Sequence, residues 1–409
     1  MPKQFDIPRA YRSDLIGSIK KRRSAADTRK ENLAPTELDL GPVVFYIARF
    51  FGFCYGVENA IEIAYRALEE NPGKRIFLLS EMIHNPHVNS DLLSRGVAFL
   101  QTAEGEQLIP FSELRSDDVV IVPAFGTTRE IFEKLETLGI DPQRYNATCP
   151  FVEKVWKRGR QLAQQGYTIV IHGKHTHEET RATFSQIRID GPSVVVRDKR
   201  EADLLCRYVR GELPKERFYE DFAGRLSPGF RIPEDLERLG VVNQTTMLAE
   251  ETHEIALMMK QAVADRSQGT DASAYFADTR DTLCYATSEN QRAMRGLLDE
   301  RADLAIVVGG YNSSNTSHLV ELCEGTVPVF YVKDAEEIVS RDEIRHLDLH
   351  KGVTTTRSWL PDKEPVKILI SAGASCPDAM VEAVLSRVVS LFPKAKALRD
   401  TGACSVAEA

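Results

Sequence analysis

Phe51-Gly52-Phe53-Cys54-Tyr55-Gly56-Val57-Glu58-Asn59-Ala60-Ile61 marks a change of period in the chain. The apolar run Val43-Val44-Phe45-Tyr46-Ile47 precedes it, and an amphipathic run from Val57 to Leu68 follows. The first reads as a buried strand and the second, with its helical spacing, as a helix. Cys54 therefore sits where a strand hands over to a helix. A helix N-terminus carries partial positive charge, which favours a thiolate over a thiol. That makes Cys54 a candidate metal ligand, provided it has partners.

The same plan recurs twice. Cys149 lies in Asn146-Ala147-Thr148-Cys149-Pro150, and Phe151, Val152, Val155, Trp156, Leu162 and Ala163 follow with helical spacing. Pro150 suits the first turn of that helix. The strand Thr168-Ile169-Val170-Ile171 comes next and ends in the polar loop Lys174-His175-Thr176-His177-Glu178-Glu179. Cys284 lies in Asp281-Thr282-Leu283-Cys284-Tyr285-Ala286-Thr287, and Ala293, Met294, Leu297 and Leu298 mark its helix. The strand Leu304-Ala305-Ile306-Val307-Val308 then leads to Asn312-Ser313-Ser314-Asn315. After Cys54 the matching strand is Ile76-Phe77-Leu78-Leu79, which leads to Glu81-Met82-Ile83-His84-Asn85-Pro86. The spacings agree: 30 residues from Cys54 to His84, 28 from Cys149 to His177, and 29 from Cys284 to Ser313. Each unit adds a second strand with a small-residue loop at its end. These run from Val119-Val122 into Ala124-Thr128, Gly240-Val242 into Asn243-Thr246, and Ile368-Ile370 into Ser371-Ser375.

Strands alternating with helices imply parallel α/β domains. Ligands bind beyond the carboxyl ends of such strands, where all three cysteines and all six loops fall. The expected fold is three pseudo-equivalent parallel α/β domains converging on a central site. Their bounds are 41–145, 146–280 with an insertion at 199–238, and 281–395 with an insertion at 334–364. Residues 1–40 read as a polar, partly disordered arm containing Lys20-Lys21-Arg22-Arg23, and residues 396–409 as a tail.

Composition bounds the function. At 43% hydrophobic and 27% charged, the 409-residue chain fits a soluble globular protein. A net charge of −8 argues against a nucleic-acid-coating surface. Apolar stretches stay under 18 residues, so no transmembrane helix is expected. The N-terminus has no apolar signal core, and its acids Asp6, Asp14, Asp27 and Glu31 are the wrong charge for a transit peptide. The seven scattered cysteines lack any C-x-x-C pair and fit reduced thiols in a cytosolic setting better than a disulfide framework.

Three thiolates can hold an iron–sulfur cluster. A four-iron cluster normally takes four cysteines, so three leave one iron open, the arrangement of a catalytic cluster. Zinc with three cysteines plus His or water is the competing metal, although zinc ligands usually come in close pairs. Three plain buried cysteines are the bland alternative. Around the site come the neutral donors His84, His177, Thr245, Ser313, Ser314, Asn315 and Ser375, which at helix N-termini suit a phosphate or diphosphate. Asn-Ser-Ser-Asn is also common loop and cap composition. Glu179 is the one acid placed among these donors, and a carboxylic acid in a dry pocket can hold and deliver a proton. No dinucleotide-binding, P-loop or nucleophile-elbow signature is present, so electrons have to arrive from a protein donor. Lys154, Lys157, Arg158 and Arg160 can dock an acidic redox partner or form a solvated helix face.

Taken together, these segments resemble the hydroxymethylbutenyl diphosphate reductases, the LytB/IspH family of the non-mevalonate isoprenoid pathway. The resemblance rests on Gly52-Phe53-Cys54-Tyr55-Gly56-Val57, Ile83-His84-Asn85-Pro86-His87-Val88, Ala147-Thr148-Cys149-Pro150, Gln244-Thr245-Thr246, Cys284-Tyr285-Ala286-Thr287, Asn312-Ser313-Ser314-Asn315 and Ala372-Gly373-Ala374-Ser375. They occur in family order over about residues 45–390. The resemblance implies a trefoil of three α/β domains around a [4Fe–4S] cluster held by Cys54, Cys149 and Cys284. It implies that the substrate hydroxyl meets the open iron. Two electrons and two protons then remove it as water, giving isopentenyl and dimethylallyl diphosphates. Glu179 matches the family's proton donor with Thr245 beside it. His84, His177, Ser313, Ser314, Asn315 and Ser375 match its diphosphate contacts.

Phe125 stands where many bacterial members carry a His that contacts the diphosphate. That Phe, the long N-terminal arm and the insertions resemble the cyanobacterial and plant-type branch. Ferredoxin is then the expected donor, with flavodoxin as the alternative, and a bacterial cytoplasm is the expected setting in preference to a chloroplast stroma. Cys376 departs from the common Ala and reads as a small pocket-wall residue. The rival functions are a cluster-bearing redox sensor without turnover, for which Glu179 has no use, and a zinc-dependent phosphate-site hydrolase.

Overall fold

The computed structural model describes residues 5–267, 274–277, 282–398 and 405–406. Asp281, the 280/281 boundary and most of the 396–409 tail lie outside them. The chain opens with helix α1 (Asp14–Ala26) and strands β1 (Thr36–Asp39) and β2 (Val43–Ile47). After Cys54 come α2 (Tyr55–Glu70), β3 (Ile76–Leu78), α3 (Pro86–Ser94), β4 (Val97–Phe99), β5 (Val119–Ile121) and α4 (Arg129–Thr137). After Cys149 come α5 (Pro150–Gln164), β6 (Thr168–His172), α6 (Glu178–Ile187), β7 (Ser193–Val196), α7 (Lys199–Val209), α8 (Lys215–Asp221), β8 (Leu239–Asn243), α9 (Ala249–Arg266) and β9 (Phe276–Ala277). After Cys284 come α10 (Tyr285–Leu298), β10 (Leu304–Val308), α11 (Ser314–Cys323), β11 (Val329–Val332), β12 (Glu343–Asp348), β13 (Gly352–Arg357), β14 (Val366–Ala372), α12 (Asp378–Val389) and β15 (Ser405–Val406).

The chain divides into two compact units. One comprises Met1–Glu58, His84–Val88 and Tyr285–Ala409, and the other Asn59–Ile83 and Asn89–Cys284. The first holds a sheet of order β13-β12-β11-β10-β14-β2-β1-β15. Its centre, β11-β10-β14-β2, is parallel, and the strands outside it are antiparallel. β2 and β10 are buried at every position, as a parallel strand covered on both faces must be. Phe45, Ile306, Val307, Ile368 and Ile370 are fully buried, and each such side chain contributes about 1.5–3 kcal/mol. The 334–364 insertion is the hairpin β12–β13, which extends the sheet edge. The second unit holds two parallel sheets, β4-β3-β5 and β7-β6-β8-β9. The 199–238 insertion supplies α7 and α8, which bury Leu205, Phe218 and Phe222 beneath them.

The structure corrects two readings. The expectation of a partly disordered arm at 1–40 fails for residues 5–40. Ser13 caps α1 by accepting the Ile16 amide at 2.9 Å, and Ile16 and Ile19 enter the core. Lys20 bonds Asp378 at 2.6 Å and Ser13 donates to Glu382 at 2.5 Å, tying α1 to α12. Ile16 and Ile19 at helical spacing, with Phe5, Ile7 and Tyr11 ahead of them, anchor a segment that composition alone reads as polar. The second correction concerns β2, which was read as opening the first α/β unit. It pairs with β14, so it belongs to the sheet built mainly from residues after Cys284. The rule repeats: Asn146, before Cys149, bridges Val122 after β5, and β9, before Cys284, pairs with β8. The lead-ins to Cys149 and Cys284 join the sheet of the segment before them, and the lead-in to Cys54 joins that of the last segment.

Candidate functional site

Each of the three motif cysteines is the residue immediately before a helix: Cys54 before α2, Cys149 before α5 and Cys284 before α10. Each backbone amide is anchored on a loop that follows a neighbouring strand. Cys54 donates to the Ala374 carbonyl at 3.3 Å, Cys149 to that of Ala124 at 2.9 Å, and Cys284 to that of Thr245 at 3.5 Å. These are the small-residue loops after β14, β5 and β8. All three cysteines are half-buried, whereas Cys206, Cys323 and Cys376 are fully buried. Burial pushes the Cys149 thiol up to about 11, the charges of Cys284 and Glu179 add to the rise, and the Phe151 and Val152 amides oppose it. Cys149 thus lies within Coulombic reach of a second thiol and of a carboxylate in the same unit. Among the described residues, no three His, Cys, Asp or Glu side chains gather as a site for a single metal ion. The donors present are thiols at separate helix starts, with the Phe151 and Val152 amides beside the Cys149 sulfur, and that chemistry fits an iron–sulfur cluster.

Glu179 is the second residue of α6 and is 1% exposed. Thr245 holds both its oxygens: the amide donates to Oε1 at 2.5 Å and the hydroxyl to Oε2 at 2.9 Å. The carbonyl of the same Thr245 takes the Cys284 amide, so one residue connects the acid to a thiol-bearing helix start. His177 caps α6, its Nδ1 accepting the Glu179 amide at 3.1 Å. An accepting Nδ1 leaves the proton of a neutral imidazole on Nε2. The Phe125 ring meets the His177 ring edge-on at 5.6 Å. Phe125 therefore packs against an imidazole instead of presenting one.

In the first unit, His84 is buried, and its carbonyl accepts the Ser375 hydroxyl at 3.1 Å. A Cβ on Gly310 would stand 2.5 Å from that carbonyl, so only glycine admits the approach. Ser313 caps α11, and Ser314 is its first residue. Asn315 Oδ1 accepts the Ala374 amide at 2.8 Å and Asn290 Nδ2 at 3.5 Å. Among the described residues its Nδ2 is buried with no hydrogen-bond partner. A buried donor left unmade costs about 1–3 kcal/mol, which an acceptor oxygen arriving at the helix start would offset.

Three supporting residues escaped the sequence reading. Asn85 is fully buried, caps the start of α3 and donates to the Ser375 carbonyl at 2.9 Å. Asn290 holds Asn315. Gln244 Oε1 accepts from Thr180 at 3.0 Å and from the Lys174 amide at 3.3 Å, bracing the loop that carries His177. Asn85 and Gln244 lie inside quoted motifs, but their burial was not visible in the letters. Cys376 is a core residue at 0% exposure rather than a pocket-wall residue. On α5, Lys154 and Lys157 are exposed, while Arg160 pairs with Asp190 at 2.6 Å.

A model of the LytB protein family matches residues 45–389. The chain is 40% identical over 386 residues to a 4-hydroxy-3-methylbut-2-enyl diphosphate reductase of Synechococcus sp. (strain RCC307), covering 94% of this chain and 90% of that one. It is 39% identical to the enzyme of the same name from Synechococcus sp. (strain CC9311), covering 94% and 92%. Among solved structures it is similar to an (E)-4-hydroxy-3-methyl-but-2-enyl diphosphate reductase described as the terminal enzyme of the non-mevalonate pathway. That match has a TM-score of 0.51 at 27% identity and covers 84% of this chain and 98% of the other. The Plasmodium falciparum E-1-hydroxy-2-methyl-but-2-enyl-4-diphosphate reductase shares the fold, with a TM-score of 0.62 at 21% identity, covering 86% and 89%. The chain belongs to the LytB family of iron–sulfur oxidoreductases.

Proposed function

We propose that this chain is a 4-hydroxy-3-methylbut-2-enyl diphosphate reductase that forms isopentenyl and dimethylallyl diphosphates. The observation that carries the reading is the buried Glu179–Thr245 pair, bonded through Thr245 to the Cys284 helix start. It supplies a protected proton source beside thiol donors, which a sensor or an electron carrier does not need. Cys54, Cys149 and Cys284 are the residues that would hold a [4Fe–4S] cluster, and when bound this group supplies electrons to the substrate. Three cysteine ligands leave the incomplete coordination expected of a catalytic cluster.

The remaining work belongs to side chains. Glu179 holds a proton at its carboxylate, and the Thr245 amide and hydroxyl fix both oxygens so that transfer occurs in one geometry. Asn315 Nδ2, the α11 start at Ser313 and Ser314, His84 and Ser375 are proposed to hold the diphosphate, with His177 donating from Nε2. Phe125 orients His177 by ring packing. The overall change cleaves one allylic C–O bond, consumes two electrons and two protons, and releases water. No flavin or nicotinamide motif is present, so the electrons are assigned to a protein carrier, ferredoxin or flavodoxin. We read the three sheets as three α/β domains whose junctions fall at the cysteines.

Glu179→Gln tests the proton assignment. Iron content and substrate binding should stay at wild-type levels, and turnover should fall by about 10²–10⁴-fold, the usual loss for a general acid. Turnover within a few-fold of wild type would remove Glu179 from the proton path.

A further inference from the structure

Residues 5–31 run along the Cys54 segment in reverse order. The Phe5 ring meets Tyr55 edge-on at 4.9 Å, and Tyr11 meets Phe53 at 6.0 Å. Lys20 Nζ lies 4.6 Å from the centre of the Phe51 ring. Asp27 faces Arg49 at 3.9 Å. Lys30 then lies 5.7 Å over the Tyr285 ring and bonds Glu289 at 2.8 Å. Gly52, at φ +75°, leaves no room for a side chain, because a Cβ there would stand 2.9 Å from Asp378 and 3.0 Å from Lys20.

The inner face of this arm is committed to packing, with Ile16, Ile19 and Arg23 buried. The outer face is basic: Lys21, Arg22 and Arg29 are exposed. Residues 5–31 hold eight Lys and Arg against four Asp and Glu, in a chain whose net charge is −8. Next to the arm, Tyr55 and Tyr285 are 40% and 36% exposed. They are the residues after Cys54 and Cys284, and the Tyr55 amide donates to the Tyr285 hydroxyl at 3.1 Å. Exposed aromatics beside a basic surface are what a transient protein partner uses: rings for contact and charge for steering.

We propose that the arm, with Tyr55 and Tyr285, is the docking surface for a small acidic one-electron carrier protein. The proposal rests on the reductase reading. Each docking oxidises one reduced carrier by one electron. Two dockings supply the pair that, with two protons, converts the substrate C–OH to C–H and water. The chain as a whole repels an acidic carrier, and the arm offsets that repulsion locally where the path to a ligand cysteine is one residue long. The basic face of α5 is the weaker candidate, since Arg160 is engaged by Asp190 and Glu153 stands among its cations.

The test is the combined variant Lys21→Glu, Arg22→Glu, Arg29→Glu on the full, cluster-loaded chain. Turnover is measured anaerobically with dithionite and with a reduced acidic [2Fe–2S] ferredoxin, over a range of salt. Dithionite-supported turnover should stay within about twofold of wild type, as surface charges remote from chemistry should leave it. Ferredoxin-supported kcat/KM should fall by about 10–100-fold and lose its salt dependence, as steered association does. Unchanged ferredoxin kinetics and salt slope would overturn the proposal. So would the same loss appearing in Lys154→Glu, Lys157→Glu instead. Wild-type protein inactive even with dithionite would remove the reductase reading, and the docking proposal with it.

Discussion

The six described cysteines occupy two environments. Cys54, Cys149 and Cys284 are half-buried, precede a helix, and have their amides anchored on a loop after a neighbouring strand. Cys206, Cys323 and Cys376 are sealed in cores. Cys206 lies 3.7 Å from the Met259 sulfur, and the Cys323 thiol donates to the Leu319 carbonyl at 3.4 Å. Burial pushes Cys206 and Cys323 each up to about 12, opposed at Cys206 by the Arg210 charge. The difference lies in position on the fold: Cys206 and Cys323 lie within helices and Cys376 in a buried loop, whereas the proposed ligands each stand at a half-exposed helix start.

Substitution should separate the two sets. Cys149→Ser and Cys284→Ser should each lose bound iron and lower turnover by at least about 10³-fold, since second-shell changes alone cost 10–100-fold. Wild-type iron content in either variant would break the comparison. Asn315→Leu should raise KM for the diphosphate by about 10–100-fold with kcat little changed, the loss of one hydrogen bond to a charged group. A fall in kcat with KM unchanged would place Asn315 in the chemistry instead. Phe125→Ala should loosen His177 and reduce kcat/KM by only about 3–10-fold, the scale of one aromatic pair. Cys206→Ala and Cys323→Ala should leave iron content and turnover unchanged while lowering stability by about 1 kcal/mol in denaturant unfolding.

Much of this was legible in the sequence. The strand-helix alternation, the near-equal spacings and the cysteine positions can all be read from period and composition, because local propensity and fold agree there. Sheet membership could not be read in this way. That β2 pairs with β14, more than 300 residues along the chain, is a long-range choice that Val43-Val44-Phe45-Tyr46-Ile47 does not encode locally. The arm was misread because its charges dominate composition and its buried apolar residues, Phe5, Ile7, Tyr11, Ile16 and Ile19, are thinly spread among them. The candidate site could be listed from the sequence as residue types but not as connections. Nothing in the letters shows that Thr245 grips both oxygens of Glu179, that Asn290 and Ala374 use up the Asn315 carbonyl, or that Phe125 packs on His177.

The most direct test of the central claim is anaerobic turnover. Protein loaded with iron and sulfide is given 4-hydroxy-3-methylbut-2-enyl diphosphate and dithionite with a viologen mediator, and the products are identified by mass. The account predicts consumption of the substrate with formation of isopentenyl and dimethylallyl diphosphates, both lighter by one oxygen. Loaded protein that leaves the substrate intact, or that releases phosphate from it, would contradict the account.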